Sequence, residues 1–145
     1  PQHVKKPYKF NSYKMQDVIN ALNNWSDAQM KKRQSEQMTL GALIDLLKAQ
    51  PYGKQIQNIV SPHSCRAFCR DLAFRIKQDT RSVKSLMKML ETKCLNKRLR
   101  NYDGGDYLMD KYTPLWIGQP NSKMPKAILG VADGDVLTFI VKPTM

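Results

Sequence analysis

Three features of this sequence predict an α+β fold: a single domain with an antiparallel or mixed sheet covered by two or three helices, and an extended basic N-terminal arm. Segments beginning at Thr39 and Ser82 each open with a hydroxyl residue followed by apolar residues at helical spacing. Near the end, two β-rich runs, 127–132 and 136–141, flank Asp133 and Gly134, a strong hairpin signal. A chain of 145 residues with 41% hydrophobic composition fills one ordinary core and not two.

Taken in order, residues 1–12 carry two prolines and little apolar periodicity, and read as the extended basic arm. Residues 13–37 read as a helix with a polar linker: Met15, Val18, Ile19, Leu22 and Trp25 recur on one helical face. Lys31, Lys32 and Arg33 then suit a helix C-terminus without any partner. The α+β domain proper is expected over 38–145.

Thr39 is the expected N-cap of a second helix with Leu40, Leu43, Ile44 and Leu47 buried, stopped by Gln50, Pro51, Tyr52 and Gly53. Gln55 to Val60 is a short strand. In the central stretch Phe68, Leu72, Phe74 and Ile76 fit one buried strand face, which places His63, Cys65, Cys69 and Asp71 on the other. A third helix is expected from a Ser82 cap to about Arg100, its stripe formed by Val83, Leu86, Met87, Leu90 and Cys94. The helix starts at Thr39 and Ser82 match in apolar spacing, as a pseudo-repeat would. Leu115, Trp116 and Ile117 form a strand.

The net charge of +12 is concentrated. Segment 61–100 has 11 Lys and Arg against three acidic residues, whereas 101–145 is slightly acidic. Clustered charge of this kind attracts polyanions, so nucleic acid, a nucleotide or an acidic protein is the expected partner, with Arg66, Arg70, Arg75, Lys84, Lys88, Lys97 and Arg100 as the contacts. Lysines and arginines flanking a buried helical stripe also reach water by extending past the core, which explains those of the third helix without a ligand. No stretch approaches the roughly 18 apolar residues of a membrane span, and the first residues lack the apolar run of a signal peptide. A cytoplasmic protein with no membrane partner is expected, its three cysteines reduced.

Site chemistry concentrates in two stretches. His63 beside Asp71 has the residue types of an oriented base, and Arg66 or Arg70 of a phosphate holder, which together suit phosphodiester chemistry; no nucleophile motif accompanies them. His63, Cys65 and Cys69 offer three zinc donors without a spaced fourth from the same element, so neither a metal nor another cofactor is expected. The loop of Tyr102, Gly104, Gly105, Asp106 and Tyr107 joins aromatic faces to permissive glycines, and with His63 could form a nucleotide-sized pocket. A tight turn whose tyrosines cover a sheet edge explains the same residues.

Thr39, Leu40 and Gly41; Pro62, His63, Ser64 and Arg66; Asp71 to Phe74; Tyr102, Gly104 to Tyr107 and Met109; and Thr113, Pro114 and Trp116 follow one another in a recognisable order. Over roughly residues 38–117 the chain resembles a family of small tailed-bacteriophage proteins of unsettled function. The resemblance implies a phage origin, and so the cytoplasm of a host cell, more than a chemistry. Cys65 and Cys69 stand where the family tends to have tyrosine and Ala67 where it has glycine, which removes aromatic surface. Ala42 stands where an acidic residue often completes the capping box. Relatives are less basic, so the +8 segment is a specialisation.

The expected function is that of a non-enzymatic accessory protein that binds an anionic partner, nucleic acid or a nucleotide signal, to counter or redirect a host process. One alternative is inhibition by direct contact with a host protein, anchored by Trp25 or Trp116. Another is a phosphodiester-processing enzyme using His63. Oligomeric state stays open.

Overall fold

Helix α1, Leu40–Lys48, starts where the sequence places it because Thr39 keeps an extended backbone and its Oγ1 accepts the Ala42 N–H at 3.2 Å. Leu40, Leu43, Ile44 and Leu47 are all buried, as the spacing requires. The helix ends at Ala49. Pro51 lies just beyond it, and Gly53, at φ +82°, closes a turn in which Lys54 N–H donates to the Pro51 carbonyl. The computed structural model describes residues 37–101, 103–119 and 124–143. Gln37–Met145 forms one compact unit. The expected basic arm and first helix lie outside the described residues.

The entry to α1 is laced to two later parts of the chain, residues 111–115 and Ile128. Met38 donates to Ile128 O and accepts from Leu115 N, Leu40 donates to Thr113 O, and Gly41 donates to Lys111 O. Thr39 forms a bridge with Pro114, and Gln37 Nε2 reaches Leu115 O at 2.7 Å. Gly41 is required by this approach, because a Cβ there would sit 2.8 Å from Lys111 O and 2.9 Å from Lys111 Cβ.

The sheet is a closed five-stranded barrel. β1, Gln55–Ser64, pairs antiparallel with β2, Leu72–Ser82. The chain then leaves the barrel through helix α2, Val83–Lys93, and the short antiparallel pair β3, Lys97–Arg100, and β4, Asp106–Met109. It returns as β5, Leu115–Ile117, parallel to the first residues of β2. β6, Lys126–Ala132, and β7, Val136–Pro143, form the hairpin that Asp133 and Gly134 announce. Gln55 and Ile56 pair parallel with Val136 and Leu137, which closes the ring.

Around a ring of straight strands the antiparallel seams must be even in number, because strand direction has to return to itself. Here three seams are antiparallel and two parallel. Closure therefore requires bent strands, and the long β1–β2 hairpin supplies the bend. Its register shifts between Gln57 and Ile59 and again between Val60 and His63, with Ser61 at φ 54° in the second shift. Inside the ring Ile56, Ile59, Leu72, Phe74, Leu115 and Ile128 are fully buried, joined by the leucines of α1 and by Val83, Leu86 and Leu90 of α2. Such a core is the main stabilising element of a domain this size.

The α+β class and the mixing of parallel and antiparallel pairs stand; two helices cover the barrel among the described residues. Two expectations need correction. The central stretch is not one strand with Phe68 and Ile76 on a buried face: Ser64 pairs with Leu72, residues 65–71 connect the two strands, and Ile76 is 41% exposed beyond the core. The alternation fails because Cys65 N–H donates to Asp71 O, Phe68 N–H to Cys65 O, and Asp71 N–H to Phe68 O, folding the connection back on itself. The last helix, in turn, stops at Lys93, not near Arg100. Asn96 adopts φ 58° and turns the chain into β3, so Lys97, Arg98 and Arg100 belong to a strand.

Gly41→Ala is expected to destabilise the domain by about 1–3 kcal/mol, because the added methyl meets backbone and not a movable side-chain tip. Urea unfolding of the variant should show a lower midpoint with an unchanged slope; an unchanged midpoint would show that the 111–114 segment yields at little cost.

Candidate functional site

One row of side chains on the outer face of the barrel organises the surface around the 65–71 connection. Parallel pairing sets Ala73 beside Trp116, and antiparallel pairing sets Trp116 beside Ala127. The indole lies between two small neighbours on adjacent strands, and with Cys65 these residues form a second cluster apart from the barrel interior. Leu115 and Ile117 face inward, so Trp116 faces out by strand alternation. It is nevertheless only 4% exposed, because the connection covers it.

Two contacts make that cover. Trp116 Nε1 donates to Asp71 Oδ2 at 2.7 Å, and the Phe68 ring stacks on the indole with centroids 4.7 Å apart and planes 12° from parallel. Asp71 is buried and Phe68 stays about a third exposed, at the rim of the stack. The indole bond fixes Asp71, the stack fixes Phe68, and the turn bonds between them hold the rest of the loop. Arg66 and Arg70 flank Phe68 at two-residue spacing.

The turn between β3 and β4 is bonded to the same connection. Asn101 is buried and its Nδ2 donates to Ser64 Oγ at 2.8 Å and Cys65 O at 3.0 Å, while Ser64 Oγ donates to Cys69 O. Gly104, at φ +86°, allows Asn101 N–H to meet Gly105 O and Gly104 N–H to meet Asn101 O. Asp103 collects the remaining donors: Gly105 N–H at 2.8 Å, the Tyr107 hydroxyl at 2.9 Å and the Cys69 thiol at 3.8 Å. The Arg70 guanidinium lies 5.9 Å from the Tyr107 ring centre.

These bonds set the electrostatics. The Gly105 N–H, followed by the Tyr107 hydroxyl, holds the Asp103 carboxyl below its ordinary value. The same carboxylate, by accepting a hydrogen bond from the phenol, pushes Tyr107 up to about 12. Cys65 is raised by burial, and Cys94 is pushed to about 12 by burial too, so both are neutral thiols at physiological pH.

The expected base pair does not assemble. His63 directs Nδ1 to the Ser61 carbonyl at 2.8 Å, so Nδ1 carries the proton, and buried Nε2 has no hydrogen-bond partner. Asp71 accepts from Trp116, and neither His63 nitrogen is directed to it: one meets Ser61 O and the other has no hydrogen-bond partner. Among the described residues no three His, Cys, Asp or Glu side chains are grouped as metal ligands. Trp116 is unavailable as an anchor for a host protein because it is buried; Trp25 lies outside the described residues.

Of the expected pocket residues, Gly104, Gly105, Asp106 and Tyr107 form the β3–β4 turn and its following strand, and Tyr102 lies outside the described residues. The two clefts that flank α2 are lined by none of them. The expected cations separate into groups. Arg66 and Arg70 belong to the connection, Arg75 to β2, and Lys84 and Lys88 to one exposed side of α2. Lys97 and Arg100 take opposite faces of β3, and Arg100 sits 3.5 Å from Asp106 in an exposed pair of little energetic weight. Arg81, another cation of the segment, is structural, donating to Ile59 O and to Ser85 O and Oγ.

Sequence reasoning missed Asn101 and the stacking of Phe68 on Trp116. Asn101 carried a signal, an amide immediately before a glycine turn; Phe68 gave none, since an aromatic in an alternating run reads as core.

No protein-family model, curated protein or solved structure matches this chain. Among the described residues no helix is long and apolar enough to cross a membrane.

Trp116→Phe removes the donor from a buried carboxylate and opens a gap over the two alanines, with an expected loss of about 2–4 kcal/mol in urea unfolding. A loss below about 1 kcal/mol would mean that Asp71 is held well enough without the indole.

Tyr107 supplies a test by pH. Its folded-state value lies above that of the unfolded chain, so its contribution is complete below about pH 10 and is lost as pH rises toward about 12. In a 295 nm titration, the component that disappears in Tyr107→Phe should be centred near 12. Asp103→Asn should move that component down toward the ordinary tyrosine range; if it stays in place, the carboxylate is not its cause.

Proposed function

We propose that this chain is a non-enzymatic accessory protein of phage type that binds nucleic acid, with the 65–71 connection at the centre of the contact. The observation that carries the reading is the state of the acidic residues within the basic segment. Segment 61–100 has 11 Lys and Arg and three carboxylates, and two of those three are engaged locally. Asp71 is buried against Trp116, and Asp79 accepts the Asn58 amide at 2.8 Å. Arg70, Arg75, Lys84, Lys88 and Lys97 have no carboxylate partner among the described residues. A field of that sign attracts a polyanion and speeds its arrival.

Phe68 adds the second component. An aromatic ring held against a fixed indole and flanked by Arg66 and Arg70 is the combination by which single-stranded nucleic acid is bound, bases stacking on rings while cations follow the phosphates. The connection is pinned by Asn101 and Asp71, so little ordering would be needed on binding. The phage setting rests on the resemblance of residues 38–117, and countering or redirecting a host process is the corresponding role.

Single-stranded nucleic acid of mixed sequence is expected to bind with an affinity that falls steeply with salt. The Arg66→Ala/Arg70→Ala double variant should reduce the slope of log affinity against log salt by about 1.4, two contacts at roughly 0.7 each for a single strand. Phe68→Ala should weaken binding about tenfold with the slope unchanged. Equal slopes for the double variant and the parent chain would remove the connection from the interface. Capture of one stoichiometric host protein after nuclease treatment, with no nucleic-acid binding, would replace this reading with the inhibitor reading.

A further inference from the structure

A cleft of about 390 Å³ opens where the end of α1, the Pro51–Gly53 turn and the start of α2 meet. Its size falls at the lower end of small-molecule sites. Leu47, Val83 and Met87 supply an apolar floor, and Lys48, Lys84 and Tyr52 stand at its margin. Among the described residues no acidic side chain lines it.

Two details distinguish this cleft from an incidental gap between helices. Tyr52 is 98% exposed although it carries an aromatic ring, and the turn that projects it contains Gly53 at φ +82°. The third lining lysine, Lys54, is already engaged, since its ammonium donates to Gly134 O and lies 3.3 Å from Asp133. Lys48 and Lys84 have no such carboxylate among the described residues, so their charge is directed to solvent at the cleft.

An apolar floor, an uncovered aromatic ring and two cations without a carboxylate partner among the described residues select a ligand with a flat, poorly hydrated body and a compact anionic group. We propose that this cleft binds a mononucleotide, its base against Tyr52 and Met87 and its phosphate between Lys48 and Lys84. Inorganic phosphate alone would leave the floor uncovered, and a fatty acid would leave the ring without a stacking partner. The site shares no residue with the connection, and it stands whether or not the chain binds nucleic acid.

Isothermal titration of the full chain with each of the four ribonucleoside 5′-monophosphates, and separately with inorganic phosphate, tests this. At least one nucleotide should saturate at one per chain, with inorganic phosphate about tenfold weaker or more. Lys48→Ala and Tyr52→Ala, both exposed positions, should each weaken the nucleotide about five- to tenfold without moving the unfolding midpoint. Arg66→Ala/Arg70→Ala should leave it unchanged. The proposal is overturned by the absence of saturable one-to-one binding of all four nucleotides, by phosphate binding as tightly as a nucleotide, or by affinity that ignores Lys48→Ala and Tyr52→Ala. Loss of binding only in the arginine double variant would place the nucleotide on the connection and overturn it too.

Discussion

The bond between the Trp116 indole and the Asp71 carboxylate is the constraint on which the outer face of the barrel depends. β2 and β5 share only three paired residues, too short a seam to position a seven-residue connection by itself. A carboxylate taken from water costs several kcal/mol unless it is paired and hydrogen-bonded, so the indole N–H that meets Asp71 supports the arrangement in which that carboxylate is buried in the connection. That arrangement brings Phe68 onto the indole, with Arg66 half-buried and Arg70 exposed two residues to either side. A directional bond adds here to what apolar packing supplies: it ties an exposed segment to β5 at a defined point.

Local chemistry was legible in the sequence, and closure was not. Thr39 and Ser82 cap their helices as hydroxyl residues should, and the buried stripe of α1 is the one its spacing specifies, because both effects act within a few residues. Asp133 and Gly134 mark their hairpin for the same reason. Residues 65–71 mislead, since an alternating apolar pattern is also met by a folded connection whose aromatic finds its partner 48 residues away, on β5. The end of α2 was open to a better reading: asparagine tolerates the left-handed region, and Asn96 interrupts a run that basic residues otherwise continue. Ring closure through Gln55 and Ile56 on β7 depends on strands some 80 residues apart and on the bend at Ser61, for which no short pattern exists.

The two candidate surfaces differ in how far the sequence disclosed them. Clustered charge is a property of composition, so the basic segment was visible at once, but charge alone did not say which cations act together. Folding sorts them. Arg81 is drawn into backbone contacts, Arg100 faces Asp106, and Lys97 and Arg100 part company across β3. The cleft at Tyr52 gave no sequence signal beyond a Pro51-Tyr52-Gly53 turn, because its floor comes from two helices and its lysines from segments that are not neighbours in the chain.

Both surfaces follow one electrostatic pattern. Where this chain places carboxylates near its cations, many are committed to local partners: Asp71 to an indole, Asp79 to an amide, Asp103 to a turn and a phenol. A carboxylate held by a neutral donor keeps its charge but loses its freedom to reach a lysine or arginine, and screening within about 8–10 Å at ordinary salt limits what it does to cations farther off. The consequence is a basic protein whose positive field is only partly cancelled by its own acids. On the two readings proposed above, an external anion would partner those cations and its size would decide the place: a polymer would span the separated groups along segment 61–100, whereas a single phosphate would need two lysines beside one cleft, as Lys48 and Lys84 are.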